Sequence, residues 1–333
     1  MATTAPSIPS SLQSSPISSI QPGGGFCFAV ERAWGRCRRA WLRRFRPAYV
    51  RRMAQLRQGH CPTCPHDILD PRDLKLYRNV CGYWFRPEDD PFAWRGRLPF
   101  ARAGFAELLM CSALFFVLSA AVVLLAILIH PWLLLLLLLT LTPWLFVVSF
   151  FRDPERVIPT EPDALISPAD GTVTHVGETS DPDFPDGRAF TISIFLSVFN
   201  VHVNRVPRSG RITAMRYYPG EFLDARDADC SVRNEQFWID LTDAQTGCLV
   251  RFKQIAGAIA RRIVSWLRPD EAVRAGERLG MIKFGSRTEV SVPVELVQEA
   301  LVKVGDRVRG GSTILLRLKN SLAAESRMGK DIG

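Results

Sequence analysis

The sequence predicts a mainly β domain of the α+β class, folded as a barrel-like sandwich and preceded by a two-helix transmembrane hairpin. Two observations carry this. Residues 108–151 contain no Asp, Glu, Lys or Arg over 44 positions, and His130-Pro131-Trp132 interrupts them near the middle. After residue 152, short apolar runs recur between glycines and prolines. An uncharged stretch that long suits the bilayer interior, and short runs bounded by turn residues read as strands.

Taken in chain order, residues 1–27 are rich in Ser, Pro and Gly with no charged start before an apolar run, which predicts a disordered tail and no signal peptide. Residues 28–104 form a basic region. The whole chain of 333 residues carries a formal net charge of +9, yet residues 1–104 hold 17 Lys and Arg against 7 Asp and Glu, so the remainder is close to neutral. A charge placed that way argues against nucleic acid as a partner and for an anionic membrane surface. Val30, Trp34, Cys37, Trp41 and Phe45 recur at helical spacing among arginines, an amphipathic helix suited either to lipid or to docking on protein, with Pro47 ending or bending it.

The eight cysteines lack the density of a disulfide scaffold, which fits a reducing compartment. Cys61-Pro62-Thr63-Cys64 followed by Cys81-Gly82 resembles part of a zinc ribbon: a two-residue spacer lets both thiolates reach one ion, and the glycine relieves crowding. Cys61, Cys64 and Cys81 are therefore zinc candidates, with His60 or His66 available for a missing fourth ligand. Ordinary reduced cysteines are the alternative, and no catalytic metal is expected.

As one helix the uncharged stretch would run about 66 Å, against a bilayer core of about 30 Å that needs about 20 residues. Two helices follow, roughly Phe105–Ile129 and Trp132–Phe150, within a hairpin of residues 105–151, with Trp132 and Phe150-Phe151 at interfaces and Pro143 kinking the second helix. Arg95, Arg97 and Arg102 precede the hairpin, Arg152 and Arg156 follow it, and the turn has no cation, so both flanks are expected in the cytoplasm.

From residue 152 to 319, strands are expected at Thr172–Val176, Ala189–Phe195, Gly210–Tyr217, Phe237–Leu241, Leu249–Ala256, Thr288–Pro293 and Thr313–Leu318. Glycine-bounded turns separate them, and Val304-Gly305-Asp306-Arg307-Val308-Arg309-Gly310-Gly311 looks like a turn of a lipoyl-like domain. Helix is expected only at Ala258–Trp266 and in short pieces. Residues 320–333 form a tail.

Gly285-Ser286 is the most informative dipeptide. A serine after glycine can attack the preceding carbonyl; an N-to-O acyl shift followed by elimination splits the chain and leaves a pyruvoyl group, an electrophile made from the protein itself. Gly-Ser pairs are common in turns, so the surroundings decide. Ile166-Ser167-Pro168-Ala169-Asp170-Gly171-Thr172-Val173, Phe195 through Pro207 with Asn200-Val201-His202-Val203-Asn204-Arg205, Tyr218-Pro219-Gly220, Gln254-Ile255-Ala256-Gly257 through Val264, and Met281 through Val290 occur in one order. Together they resemble the phosphatidylserine decarboxylase family, in its short, pyruvoyl-dependent form with an unusual N-terminal extension.

That resemblance covers about half the chain, from about Phe151 to Leu318. It implies a self-processing carboxy-lyase of phospholipid biosynthesis, a zymogen cut between Gly285 and Ser286. The pyruvoyl group derived from Ser286 would take the amine of phosphatidylserine as a Schiff base, release carbon dioxide and yield phosphatidylethanolamine. His202 is the candidate base, able to titrate near neutrality, and Asp170 the candidate orienting acid of a relay with Ser286. Arg205 stands where many members carry a second histidine, so either His202 serves both maturation and turnover or another residue such as His175 assists. Arg205, Arg261 and Arg262 are candidates for the lipid phosphate.

The implied location is a bacterial-type inner (plasma) membrane with the catalytic domain on the cytoplasmic side. The two cleavage products are expected to stay associated, and a homo-oligomer and another aminophospholipid substrate are left open. The rival reading is a membrane-anchored, lipoyl-like adaptor in which Gly285-Ser286 is only a turn; it predicts an intact chain.

Overall fold

The computed structural model describes residues 25–61, 64, 67–76, 81–227, 229–259, 262–283 and 285–319. Most of the expected N-terminal tail, the C-terminal tail 320–333, His66 and Arg261 lie outside the described residues.

The amphipathic pattern forms α1 (Gly25–Phe45), and Pro47 opens α2 (Pro47–Leu56) at a position that needs no backbone N–H. Leu42 is buried, whereas Trp34, Trp41 and Phe45 are exposed. Arg38 and Arg39 pair with the buried Asp73, and Arg43 with Asp67. The helix thus docks through its arginines and turns its aromatic residues outward.

The uncharged stretch forms α3 (Phe105–Leu128), a 3-10 turn at Pro131–Leu136 and α4 (Leu137–Phe150), with His130 accepting a hydrogen bond from the Trp132 amide at the bend. Two helical stretches, Arg102–Leu128 and Pro131–Phe150, are long and apolar enough to cross a membrane. Ser119 and Thr140 share a hydrogen bond of 2.8 Å, and Trp144 Nε1 donates to Ser112 Oγ at 3.1 Å, the polar contacts that hold helices together where water is absent. The base of the hairpin is pinned by backbone bonds from Ala101 to Phe151 and from Asp153 to Pro99.

The rest is antiparallel β structure. Its strands are β1 (Ala164–Ile166), β2 (Gly171–Ser180), β3 (Arg188–Leu196), β4 (Val203–Arg205), β5 (Gly210–Tyr218), β6 (Gln236–Asp243) and β7 (Leu249–Ala256), then β8 (Arg262–Ser265), β9 (Ala272–Val273), β10 (Arg278–Lys283), β11 (Ser286–Pro293), β12 (Val297–Ala300), β13 (Arg307–Val308) and β14 (Ile314–Leu318). Eight of them make one sheet in the order β13-β2-β3-β11-β7-β6-β5-β9; β4-β10-β8 and β1-β14-β12 make two smaller ones. Every long run expected as a strand is one.

The expectation of helix at Ala258–Trp266 is overturned. Arg262–Ser265 is strand β8, buried at all four positions and paired with β10. Ile263 and Val264 are β-branched, and a pleated position between other elements suits them better than a helical turn does.

One apolar core, including Val173, Ile194, Ile212, Phe252, Val290 and Leu315, fills the β domain. A second cluster joins Leu108, Phe150 and Phe151 of the hairpin to Val201, Val203, Val264 and Met281. The hairpin helices and the strands around residue 202 are therefore one packed unit.

Candidate active site

The Gly285-Ser286 dipeptide is a corner between sheets. β10 ends at Lys283 in the three-stranded sheet and β11 begins at Ser286 in the eight-stranded one, so the chain must turn sharply in between. Gly285 does this at φ +64°, a left-handed conformation that a side chain resists. Ser286 pairs with Leu196 of β3 on one side and Ala256 of β7 on the other. It is fully buried, and its Oγ has no hydrogen-bond partner among the described residues. An unpartnered buried hydroxyl costs about 1–3 kcal/mol. Gly257 closes the corner from behind: a Cβ there would lie 2.6 Å from the Gly285 carbonyl oxygen.

His202 reaches this corner from the start of β4. The turn before it is tied by Asn200, whose Oδ1 accepts from the Ser197 amide and hydroxyl at 2.9 Å each. The Asn200 carbonyl lies 2.9 Å from His202 Nδ1. A carbonyl can only accept, so Nδ1 carries the proton and Nε2 keeps its lone pair. Nε2 in turn accepts the Gly285 amide at 3.4 Å. Phe150, the last residue of α4, stacks on the imidazole with centroids 4.3 Å apart. Burial pushes the His202 pKa down to about 4, the Asn200 carbonyl opposes the shift, and the Arg152 charge adds slightly to it. The ring is therefore a neutral base at physiological pH.

The other sequence candidates divide. Asp170 does not complete a relay with His202. Its two carboxylate oxygens accept from Arg156 at 2.9 Å and one also accepts the Gly310 amide, while the position expected of it on Nδ1 belongs to the Asn200 carbonyl. Arg205 is likewise engaged within the fold. It pairs with buried Asp153 at 2.7 Å and donates to the Gly276 and Pro154 carbonyls. Asp153 also pairs with Arg278, which ties the segment after α4 to β4 and β10. His175 sits in β2 opposite Ser193, level with Glu289, two strands across and three residues along from Ser286, so about 14 Å of sheet separates them.

Arg262 does reach the site. It is buried opposite Lys283 in the β8–β10 ladder, two residues before Gly285. The Glu31 carboxylate of α1 and the Glu107 carboxylate of α3 face this pair: Lys283 bonds both, and Arg262 Nε is 3.5 Å from Glu31. Burial lowers the Arg262 pKa, and Glu31, Glu107 and Glu235 oppose that by their charge.

Sequence comparison decides what this corner belongs to. The family model for phosphatidylserine decarboxylase matches residues 144–316, from within α4 to within β14. The chain belongs to the phosphatidylserine decarboxylase family. It is similar to the phosphatidylserine decarboxylase proenzyme of Rhodopirellula baltica, 41% identical over 245 residues that cover 73% of this chain and 98% of that one. The proenzyme of Pelobacter propionicus is 44% identical over 232 residues, 69% of this chain and 98% of the relative. That of Symbiobacterium thermophilum is 48% identical over 175 residues, covering 52% and 80%.

Within this family member, Lys283, Gly257, Asn200 and Phe150 are candidate-site residues to which sequence reasoning gave no role in the site. Gly257 stood inside a quoted motif, which was its one available signal. Lys283 gained meaning only when folding set it opposite Arg262, and Phe150 only when α4 met β4.

Proposed function

We propose that the chain is a proenzyme that cuts itself between Gly285 and Ser286 and then decarboxylates phosphatidylserine to phosphatidylethanolamine. The observation that carries this reading is the buried, unpartnered Ser286 hydroxyl beside a left-handed Gly285, with the unprotonated Nε2 of His202 accepting the Gly285 amide. Ser286 therefore fits a pyruvoyl precursor.

In self-cleavage, Ser286 Oγ bonds to the Gly285 carbonyl carbon as His202 Nε2 takes its proton; the C–N bond breaks and nitrogen receives a proton, leaving an ester. Loss of the Ser286 α-proton expels the Gly285 carboxylate. The dehydroalanine so formed, as its imine, takes up water and releases ammonia. The resulting pyruvoyl group supplies an electrophilic carbonyl and an electron sink for the loss of carbon dioxide. His202, held in one tautomer by Asn200, then moves the proton that replaces the carboxylate on the substrate carbon.

Arg262 and Lys283 form the anion subsite for the lipid head group, at the base of the hairpin where α3 begins. Asp170 and Arg205 act as positioning residues through Arg156 and Asp153. The hairpin crosses the membrane with both basic flanks in the cytoplasm, α1 lays Trp34 and Trp41 on the same surface, and the substrate is met at the bilayer. This reading divides the chain into a tail (1–27), a basic region (28–104), the hairpin (105–151), a barrel-sandwich, lipoyl-like decarboxylase domain (152–319) and a second tail (320–333).

The test is a mass spectrum of the purified protein. Fragments 1–285 and 286–333, the smaller carrying a serine-to-pyruvoyl mass change, are expected; Ser286→Ala should leave one chain without activity. An intact Ser286→Ala protein that still released carbon dioxide from phosphatidylserine would overturn the mechanism, and an intact wild-type chain would favour the adaptor reading.

A further inference from the structure

Outside the decarboxylase domain, the described residues between 57 and 97 have little regular structure to hold them. Among the described residues this region contains 3-10 turns and one isolated bridge, Gln58 to Trp84. Its apolar cluster has four buried members, Cys61, Ile68, Leu74 and Cys81, with Cys64, Tyr83 and Phe85 packed against them. A core that small does not stabilise a fold without a staple, which in small domains is a disulfide or a metal.

The cysteines supply one. The Sγ atoms of Cys61, Cys64 and Cys81 all lie within 4.8 Å of one another. Cys61 and Cys64 are joined as a disulfide, and Cys81 Sγ is 2.9 Å from Cys64 Sγ. A disulfide employs two sulfurs and gives no reason for a third, brought from 17 residues away. A tetrahedral zinc with Zn–S bonds of about 2.3 Å separates its sulfurs by about 3.8 Å, within the span observed.

The backbone agrees. The two cysteine-bearing arms run against each other with no room for a Cβ: one on Gly82 would fall 2.2 Å from the His60 carbonyl oxygen, and one on Gly59 2.1 Å from the Gly82 carbonyl oxygen. Gly82 follows Cys81 directly, where a turn folding around an ion is most crowded.

We infer that the reduced cluster Cys61, Cys64 and Cys81 is a structural zinc site. Two molecules of a thiol reductant become their disulfide as the Cys61–Cys64 bond takes up two electrons and two protons. The three thiols then release three protons as their sulfurs bind one Zn²⁺, with the fourth corner open to a further donor. The ion fixes the arm carrying Trp84, whose ring lies under Arg268 at 4.3 Å. It also fixes the 3-10 turn at Pro71–Leu76, which contacts β8. The site braces the face of the domain that carries Arg262 and takes no part in the chemistry.

The test uses full-length protein, made in a reducing cytosol and purified in detergent with a thiol reductant and no chelator. Elemental analysis should find about one zinc per chain. Cys81→Ser should lower that at least about tenfold, while Cys248→Ser retains it. Because Cys81→Ser could disturb folding, the wild-type zinc is also exchanged for Co²⁺, which should give the strong visible absorption of tetrahedral thiolate coordination. Reduced wild-type protein with neither zinc nor that absorption would overturn the site, as would zinc retained in full by Cys81→Ser.

Discussion

His202 carries its proton on Nδ1 because the Asn200 carbonyl can only accept, and that leaves Nε2 as the base beside Gly285. Burial holds the ring's pKa near 4, so self-cleavage of proenzyme from cell-free synthesis, followed on gels after a pH jump, should be level through neutral pH and fall with a midpoint near 4. A midpoint at the ordinary histidine value, about 6.5, would contradict a buried neutral base. The sign for stability agrees: the folded pKa lies below the unfolded one, so the contribution is complete above about 6.5 and is lost as pH falls toward 4. His202→Ala should slow processing by about 10²-fold or more. Gly257 gives a steric counterpart. Gly257→Ala puts a methyl 2.6 Å from the scissile carbonyl oxygen, and a displacement of about 1 Å there should cost about 10²-fold in cleavage rate. Gly96→Ala, with nothing within 4 Å of the new carbon, is the control.

Three elements from outside the β domain reach into the site, α4 through Phe150, α3 through Glu107 and α1 through Glu31. Glu31 faces Lys283 across 252 residues of sequence, with Arg262 beside it, where the head group's anion would sit. Glu31→Gln should lower the KM for phosphatidylserine in mixed micelles about threefold to tenfold, a change of about 1 kcal/mol, while mass spectra show unaltered cleavage. An unchanged or raised KM would remove α1 from the substrate site. None of this was legible in the sequence, because charge pairs between distant segments have no local pattern. The strands were legible, since glycine and proline mark their ends and alternation marks their faces. Residues 258–266 were misread because a charged Arg262 gives no strand signal until β10 pairs with it and buries it. His202 and Ser286 were found from motifs; the partner of His202 was not, because a backbone carbonyl belongs to every residue type and leaves no trace in composition.

At the scale of the whole molecule, cleavage releases a fragment that the sheet does not. Residues 286–333 begin with β11, eight buried positions paired to β3 and β7, and continue through β12, β13 and β14, which pair with one another and with β1 and β2. The two products should therefore co-elute in detergent and separate only in denaturant; separation under native conditions would contradict a central β11. The left-handed corner at Gly285 then has a meaning in time. An unfolded chain has no reason to hold Gly285 at φ +64° with an imidazole at its amide, so the cut reports that β4, β10 and β11 have already met. Maturation works as an inspection of the finished fold, and it is passed once: afterwards an unfolded enzyme is two chains that must find each other again, and its persistence depends on how slowly it opens.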